Sequence, residues 1–378
     1  MSTLVHSVRL FGSAAVDSDS PEGWVLFDGG RVTAAGVGDG SPSADETVDG
    51  SGGCLAPGFI DVHGHGGAGA SFDDGPEAVR TARAVHRRHG TTRAVLSLIT
   101  ATIDDLAARV AMVADLTEAD PTILGSHLEG PFLDPGHKGA HTESLLRAPD
   151  EASIDRLLEA GRGTIRQVTL APERPGAFDA IRRLTAAGVT VAVGHTDADA
   201  ATARRAFDAG ATLLTHAFNA MPGIHHRAPG PVVVALRDER VRLEVIADGV
   251  HVDLDLVATL FASAGGRIAL ITDAMAAAGA ADGSYELGGL AVQVTDGVAR
   301  LVEGGAIAGS TLTQDAAVRH VVGAGVPLEV ALRAVSEVPA LAIGRADLGR
   351  LDIGSVADAV LLDADLTVQR VWIDGQPA

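Results

Sequence analysis

The sequence lacks several features that define large classes of proteins. One cysteine among 378 residues, Cys54, excludes an intrachain disulfide and is typical of a reducing compartment. No apolar run reaches the 18 residues of a membrane-spanning helix, and the first residues lack the charged and apolar regions of a signal peptide. These absences predict a cytoplasmic protein that does not associate with a membrane.

Basic residues are also in the minority. The chain has 29 Lys and Arg against 49 Asp and Glu, which gives a formal net charge of -20. Nucleic acids and anionic membranes are polyanions, so such a surface disfavours both as partners. Any phosphate group that the protein binds must be held by a few local side chains.

What the sequence does contain is a repeated pattern that starts near residue 58. A short apolar run is followed by a polar or glycine-rich turn and then by an amphipathic stretch. Eight such units favour a (β/α)8 barrel of the TIM type over an open doubly wound sheet, which would need a glycine-rich phosphate fingerprint after its first strand. The predicted strands are 58–62, 92–98, 123–127, 165–171, 189–194, 212–215, 241–247 and 268–272.

The two ends of the chain differ from this middle part. Residues 1–57 and 346–378 contain short predicted strands broken by Gly and Asp turns, and neither piece alone could bury a sheet face. We therefore predict that they pair in a small β-sandwich domain beside a barrel of residues 58–345. An Asp-Gly turn in VTDGVA predicts a β-hairpin insertion at about 284–303.

Six histidine and acidic residues stand at or just past the ends of predicted strands. They are His63, His65, Glu129, His195, His216 and Asp273. Side chains at the ends of many parallel strands converge when the sheet closes into a barrel. Two imidazoles and one carboxylate leave a coordination position for water, as in catalytic zinc sites, so Glu129, His195 and His216 are predicted to bind one metal ion.

His63 and His65 form an His-x-His pair at the end of the first predicted strand, where a period of two points both side chains the same way. An isolated pair of this kind is more often exposed in a loop, but the other ligands favour metal binding here. Asp273 follows the eighth strand and has two possible roles. It could cap a helix, or it could take a proton from a metal-bound water and return it to a leaving amine.

Three further polar residues lie in predicted loops. His141, in HKGAHTE, could polarise a substrate carbonyl and stabilise the oxyanion that forms on it. His251, in ADGVHVD, and Arg227, in HHRAPG, could hold an anionic group such as a phosphate. From spacing alone, ordinary surface polarity explains these three residues equally well.

Several strings in the sequence form a recognisable set: PGFIDVHGHG, HLEGPF with KGAH following, VGHT, THAFNAMP, DGVH, ITDAM and AGSTLT. Together they resemble the N-acetylglucosamine-6-phosphate deacetylase family of the amidohydrolase superfamily over nearly the whole chain. The resemblance implies a hydrolase that converts N-acetyl-D-glucosamine 6-phosphate to D-glucosamine 6-phosphate and acetate, in amino-sugar catabolism or cell-wall recycling. It makes Glu129, His195 and His216 the metal ligands, Asp273 the general base and then acid, and His141 the group that meets the acetamide carbonyl.

The resemblance also implies a substrate site and a partner. The residues that it places against the sugar phosphate are Ala140, His141, Asn219, Ala220, Arg227, His251, Ile307 and Ala308. In this family the phosphate pocket can be completed by a neighbouring subunit, which implies a homodimer.

Members of the family differ at the first barrel strand, where some carry glutamine in place of paired histidines and use one metal. This chain has both His63 and His65. We therefore predict one divalent ion, with Zn²⁺ as first choice and Fe²⁺, Mn²⁺ or Co²⁺ as alternatives, because the ligand types suit all four. We also predict a second ion at His63, His65 and Asp273, bridged by Glu129.

Two other functions fit parts of this pattern. A dihydroorotase or an adenine deaminase of the same superfamily would use the fold and the metal ligands, but would have no purpose for a phosphate site at Arg227 and His251. A non-catalytic scaffold derived from such a barrel would have no reason to keep all six ligand residues. The sequence does not distinguish the glucosamine substrate from its galactosamine epimer.

Overall fold

The computed structural model describes residues 1–14, 16 and 20–378. The strands are β1 (Thr3–Leu10), β2 (Gly23–Asp28), β3 (Arg31–Val37), β4 (Glu46–Asp49), β5 (Cys54–Pro57), β6 (Phe59–Asp61), β7 (Gly66–Gly67), β8 (Ala70–Ser71), β9 (Thr91–Ile99), β10 (Ile123–Glu129), β11 (Ile165–Leu170), β12 (Thr190–Val193), β13 (Leu213–Leu214), β14 (Arg242–Ile246), β15 (Ile268–Ile271), β16 (Gly283–Leu287), β17 (Leu290–Thr295), β18 (Val298–Leu301), β19 (Ala359–Leu362), β20 (Val368–Ile373) and β21 (Gln376–Pro377).

The α-helices alternate with the strands in the middle of the chain and follow one another near its end. They are α1 (Pro76–Arg88), α2 (Ile103–Ala119), α3 (Glu151–Gly161), α4 (Ala177–Ala186), α5 (Ala200–Asp208), α6 (Gly230–Arg237), α7 (Leu254–Ser263), α8 (Gln314–Gly323), α9 (Leu328–Val335) and α10 (Glu337–Ala342). Several begin at a residue whose side chain caps the first turn. Thr102, Asp150 and Asp199 each accept a hydrogen bond from the backbone N–H three residues on.

Eight parallel strands form the barrel sheet, in the order β15-β14-β13-β12-β11-β10-β9-β6. Each of them overlaps one of the eight predicted strands, so the prediction of a TIM-type barrel is confirmed. β9 and β10 are buried along their whole length, as expected for strands covered on both faces.

The two edge strands of this sheet meet at their carboxyl ends. The backbone N–H of Asp273 donates to the carbonyl of His63 at 2.8 Å, and the N–H of His65 donates to the carbonyl of Ala274 at 2.7 Å. The Thr272 hydroxyl donates to the buried carboxylate of Asp61 at 2.6 Å. These bonds nearly close the barrel at the end where the predicted ligands lie.

A second eight-stranded sheet contains both ends of the chain. Its order is β21-β20-β19-β5-β1-β2-β3, and β4 pairs with β1. A hydrophobic cluster separate from the barrel core covers it, with Val25, Phe27 and Trp372 among its fully buried side chains. The pairing of the chain ends agrees with the sequence analysis, while their description as a β-sandwich domain stays a prediction.

Arg93 on β9 joins the barrel to the second sheet. Its guanidinium is almost fully buried and donates to Asp358 at 2.5 Å, to Asp374 at 2.7 Å and to the carbonyl of Pro121 at 2.9 Å. A buried arginine is tolerated when carboxylates and carbonyls satisfy its donors. This ion pair therefore links β9 to the segment that carries β19, β20 and β21.

The insertion after β15 is an antiparallel sheet of three strands, β16-β17-β18, where the sequence analysis expected a hairpin. The predicted Asp-Gly turn lies between β17 and β18. One face of this sheet packs against Ile99, Met275 and Ala308. The insertion thus lies beside the carboxyl ends of the barrel strands.

Among the residues that the structure describes, no helix combines the length and the apolar character needed to cross a membrane.

We expect Arg93→Met to destabilise the protein by roughly 3–5 kcal/mol, because it leaves the carboxylate of Asp358 buried without its partner. The measurement is the free energy of unfolding in urea. Arg80→Met is the matched control, since Arg80 pairs with Glu77 on an exposed helix surface and should change stability by less than about 0.5 kcal/mol. Equal losses in the two variants would contradict the proposed role of Arg93.

Candidate active site

A cavity of about 350 Å³ opens at the carboxyl ends of the barrel strands. Most of the predicted site residues line it: His65, Glu129, Ala140, His141, His195, His216, Asn219, Ala220, His251, Asp273 and Ile307. His63 is fully buried behind this wall, and Ala308 is buried in the core of the insertion. Arg227 is exposed on the loop between β13 and α6 and does not line the cavity of its own chain.

Three of the site residues lie where the chain turns sharply at the end of a strand. The φ angles of His195, His216 and Asp273 are 47°, 25° and 49°, in the left-handed region that non-glycine residues rarely adopt. Such a conformation persists only when the surrounding contacts hold it. The carbonyl of Asp273, for example, accepts a hydrogen bond from the N–H of Ser310 at 2.7 Å.

Glu129 is the centre of the site. Its Oε1 lies 3.1 Å from Nε2 of His195, 3.2 Å from Nε2 of His216 and 3.3 Å from Nε2 of His63. Nε2 of His195 and Nε2 of His216 are 3.0 Å apart. Three imidazoles thus present the same nitrogen to one carboxylate oxygen.

The other oxygen of Glu129 has a similar surrounding. Its Oε2 lies 3.2 Å from Nε2 of His65 and 3.4 Å from Nε2 of His141. Asp273 lies next to this group, with Oδ1 3.4 Å from Nε2 of His65 and 3.6 Å from Nε2 of His63. The structure therefore brings together all six predicted ligands, and it adds His141 to them.

The residues present fit divalent metal ions. Among the described residues, two groups have ligand atoms close enough together to hold one: His63 with His65 and Asp273, and Glu129 with His141 and His195. Within the described part of the chain, Nε2 of His63 is buried without a hydrogen-bond partner. An imidazole nitrogen left in this way beside carboxylates suits coordination of a cation, because the metal replaces the missing partner.

The electrostatics of the site favour bound positive charge. Burial opposes a charge on His63, but Glu129, Glu244 and Asp273 outweigh it and hold the pKa of His63 well above its ordinary value. Burial likewise opposes ionisation of Asp273, yet the charge of His63 and the hydrogen bond from His65 lower the pKa of Asp273 to about 2. Burial also opposes ionisation of Glu129, but the charge of His63 and hydrogen bonds from neighbouring imidazoles hold the pKa of Glu129 well below its ordinary value. Both carboxylates that line the cavity are therefore ionised at neutral pH.

His141 differs from its neighbours in charge. Burial, together with the nearby His195, lowers the pKa of His141 to about 4, although Glu129 favours protonation. The ring is therefore neutral at pH 7. Its Nδ1 lies 2.8 Å from the hydroxyl of Thr100, which is also within 3.1 Å of the carbonyl of Glu129.

His251 also lines the cavity, and a neighbouring acid holds its side chain. Its Nδ1 lies 2.7 Å from Oδ2 of Asp248. Burial opposes protonation of His251, but the hydrogen bond and the charge of Asp248 outweigh it and raise the pKa of His251. An imidazolium at this position can bind an anion.

The sequence analysis missed polar residues that support the ligands from inside the barrel. Glu244 and Gln167 are fully buried on β14 and β11, and Glu244 contacts His63. Thr100 supports His141, and the carbonyl of His137 lies 2.9 Å from Nδ1 of His195. The available signal for Glu244 and Gln167 was a polar residue in the middle of a predicted barrel strand, where burial is costly unless the side chain has a partner.

The chain is similar to known proteins over most of its length. The sequence profile of the Amidohydrolase family matches residues 54–378. The N-acetylgalactosamine-6-phosphate deacetylase of Escherichia coli O157:H7 is 43% identical over 330 residues, which are 86% of this chain and 87% of that protein. The N-acetylglucosamine-6-phosphate deacetylase of Homo sapiens is 37% identical over 350 residues, which are 88% of this chain and 85% of the human protein.

Solved structures agree with these sequence relatives. The crystal structure of N-acetyl-D-glucosamine-6-phosphate deacetylase from Mycobacterium smegmatis is 42% identical, covers 100% of both chains and has a TM-score of 0.93. A mutant of that protein has been crystallised in complex with N-acetyl-D-glucosamine-6-phosphate, with the same TM-score and identity.

We expect Glu129→Gln to weaken metal binding at least about tenfold, because the amide carries no charge and can present only one oxygen to the ring of imidazoles. The measurement is the metal content of the purified protein after dialysis against a buffered concentration of Zn²⁺. Glu118→Gln, a change on the exposed side of α2, is the matched control. An unchanged metal content in Glu129→Gln would show that this carboxylate is not a ligand.

Proposed function

Since the chain belongs to the amidohydrolase family, we propose that it is a metal-dependent deacetylase of N-acetyl-D-glucosamine 6-phosphate, with D-glucosamine 6-phosphate and acetate as products. One observation carries the proposal. Glu129 is surrounded by imidazoles beside the ionised Asp273, in a cavity large enough for a sugar phosphate at the carboxyl ends of the barrel strands. The dihydroorotase and adenine deaminase alternatives lose support, because the relatives compared are named as amino-sugar phosphate deacetylases.

We propose that Glu129, His195 and His216 hold the first divalent ion and that His63, His65 and Asp273 hold a second, with Glu129 as the bridge. Zn²⁺ remains the first choice, with Fe²⁺, Mn²⁺ and Co²⁺ as alternatives, because carboxylate and imidazole ligands suit all of them. A divalent metal at this position polarises a carbonyl and lowers the pKa of water.

Asp273 is the proton carrier of the proposed reaction. Asp273 is ionised and can therefore accept a proton from the attacking water, and its place on the cavity wall allows it to pass that proton to the leaving amine. Without the returned proton, the amine would leave as a strongly basic anion.

His141 is proposed to donate to the acetamide carbonyl. This role requires a hydrogen on Nε2, because a neutral imidazole carries only one. In the structure the Thr100 hydroxyl donates to the carbonyl of Glu129 at 3.1 Å. The proposed role of His141 requires this hydroxyl to turn and donate instead to Nδ1 of His141, which lies 2.8 Å away. The oxyanion that forms on the carbonyl then meets an N–H that is already in place.

We propose that His251 and Arg227 bind the phosphate, with Arg227 supplied by a second subunit. His251 lines the cavity, whereas Arg227 is exposed and lies outside the cavity of its own chain. Ile224 and Val250, on the loops that carry these two residues, have exposed fractions of 53% and 42%. Association of two chains would cover these apolar side chains, which supports a homodimer.

The sugar and the acetamide would be contacted by the cavity-lining residues Ala140, Asn219, Ala220 and Ile307. Ala308 is buried and does not line the cavity, so it would support these residues and not contact the sugar itself. N-acetyl-D-galactosamine 6-phosphate is a second candidate substrate, because the 43% identical relative from E. coli O157:H7 carries that name.

We also propose that the sheet of the chain ends forms a small β-sandwich domain beside the barrel, supported by its separate hydrophobic cluster. A cytoplasmic location is supported by the single cysteine, which is a buried thiol.

The proposed substrate is tested by acetate release from N-acetyl-D-glucosamine 6-phosphate, N-acetyl-D-galactosamine 6-phosphate and unphosphorylated N-acetyl-D-glucosamine. We expect kcat/KM for the phosphorylated sugars to be at least about 100-fold higher than for unphosphorylated N-acetyl-D-glucosamine, because paired charges on a phosphate contribute a few kcal/mol to binding. Equal values with and without phosphate would contradict the phosphate site, and the ratio of the two phosphorylated epimers assigns the sugar.

We expect Asp273→Asn to retain at least the first metal ion and to lower kcat by roughly 10²–10⁴-fold, because the amide cannot accept the proton. Acetate release and metal content are measured on the same preparation. Asp39→Asn, a change at an exposed position of the second sheet's loop, is the control. Near wild-type turnover in Asp273→Asn would exclude this residue as the base.

The raised pKa of His251 predicts a pH dependence of phosphate binding. The imidazolium is present below its folded-state pKa and is lost as the pH rises through it, so KM for the phosphorylated sugar should increase at alkaline pH. In His251→Gln this increase should disappear, and it should be absent for the unphosphorylated sugar. A KM that is independent of pH in the wild-type protein would exclude a charged His251 from the phosphate site.

A further inference from the structure

A buried carboxylate that the proposed reaction does not use lies inside the barrel on β14. The side chain of Glu244 has no exposed surface, and its Oε2 lies 3.0 Å from Nδ1 of His63. Its Oε1 accepts a hydrogen bond from Nε2 of Gln167 at 2.7 Å. The backbone N–H of His216 is 3.4 Å from Oε2. Glu244 therefore contacts one proposed ligand from each of the two metal positions.

The contact with Glu244 decides which nitrogen of His63 is free. Oε2 of Glu244 is the acceptor in this contact, so a hydrogen of the His63 imidazole lies on Nδ1. Nε2 is therefore the nitrogen on which a cation, either a proton or a metal ion, would be held, and it faces Oε1 of Glu129 at 3.3 Å and Oδ1 of Asp273 at 3.6 Å. A histidine held by a carboxylate in this way presents a fixed, basic nitrogen to a metal ion.

Gln167 on β11 holds Glu244 in place. Both side chains are fully buried inside the barrel, where an unpaired polar group costs stability. Only the amide nitrogen of Gln167 has a partner in the described part of the chain, and that partner is Glu244. Gln167 therefore acts as a donor that orients the carboxylate towards His63.

The charges in this region need more than one cation. Glu129, Asp273 and Glu244 are all buried, and in the described ranges each forms ion pairs with histidines but with no lysine or arginine. With the imidazoles neutral as metal ligands, one divalent ion would leave the three carboxylates with a net charge of −1, and a second would change it to +1, so full compensation takes more than one divalent ion. Buried charges persist only when they are compensated.

We propose that Glu244, oriented by Gln167, is a positioning residue that fixes His63 as a ligand and thereby creates the second metal position. This inference rests on the proposed metal-dependent function, since it assigns a role within the same site.

The test is a metal titration of the full-length protein. Metal is removed with a chelator, and binding of added Co²⁺ is measured as the number of equivalents and their affinities, together with the visible spectrum of bound Co²⁺. In Glu244→Gln the first equivalent should bind as in the wild type, and the second about 10- to 100-fold more weakly. His63 and Gln167 contact different oxygens of Glu244, and in the amide one of these two positions becomes an NH2 group that cannot accept.

Two further variants separate positioning from a general loss of structure. Gln167→Met should also lower the affinity for the second equivalent of Co²⁺, by a smaller factor than Glu244→Gln. If Glu244→Gln does not fold, Gln167→Met provides the test in its place. Glu239→Gln, an exposed change just before β14, should leave both equivalents unchanged. In a His63→Gln background, Glu244→Gln should have no further effect on metal binding, because Glu244 acts through His63.

Several outcomes would overturn the inference: a wild-type protein that binds a single equivalent, wild-type affinity for the second ion in both Glu244→Gln and Gln167→Met, or equal additional losses in the His63→Gln background. Acetate release is measured on the same samples. A protein that binds two ions but releases no acetate would reject the proposed function and leave the role of Glu244 standing.

Discussion

The buried negative charge of Glu129, Asp273 and Glu244 is the constraint around which the protein is built. Carboxylates in the interior of a barrel are costly, and here histidines and bound cations must offset that cost. The same charge makes the site chemically useful, because it favours the binding of a metal ion and the site contains an ionised Asp273. Stability and function therefore depend on the same set of contacts.

Closure of the barrel places these groups together. Backbone hydrogen bonds between the residues after β6 and those after β15 join His63 and His65 to Asp273, although more than 200 residues of sequence separate them. The left-handed turns at His195, His216 and Asp273 occur at the ends of strands that are buried apart from Thr190, which is half-buried. A rigid scaffold thus supports the local backbone strain at the ligands.

Much of this arrangement could be predicted from local sequence. The eight barrel strands are apolar runs, and a run buried on both faces is recognisable without knowledge of its neighbours. Glu129, His195 and His216 could be predicted because each follows such a run. Arg227 and His251 were predicted as one phosphate pair, but the structure places His251 on the cavity wall and Arg227 on an exposed loop. Loop conformation depends on contacts that spacing does not encode.

The sequence by itself determined the barrel, the ligand types and the concentration of histidine and acid at strand ends, since these depend on composition and period along the chain. Only the tertiary structure decided which polar side chains face one another inside the barrel. Glu244 and Gln167 are polar residues within barrel strands and Thr100 directly follows one, and their partners come from other segments of the barrel. Those pairings depend on strand register and barrel closure, which bring distant residues within hydrogen-bonding distance.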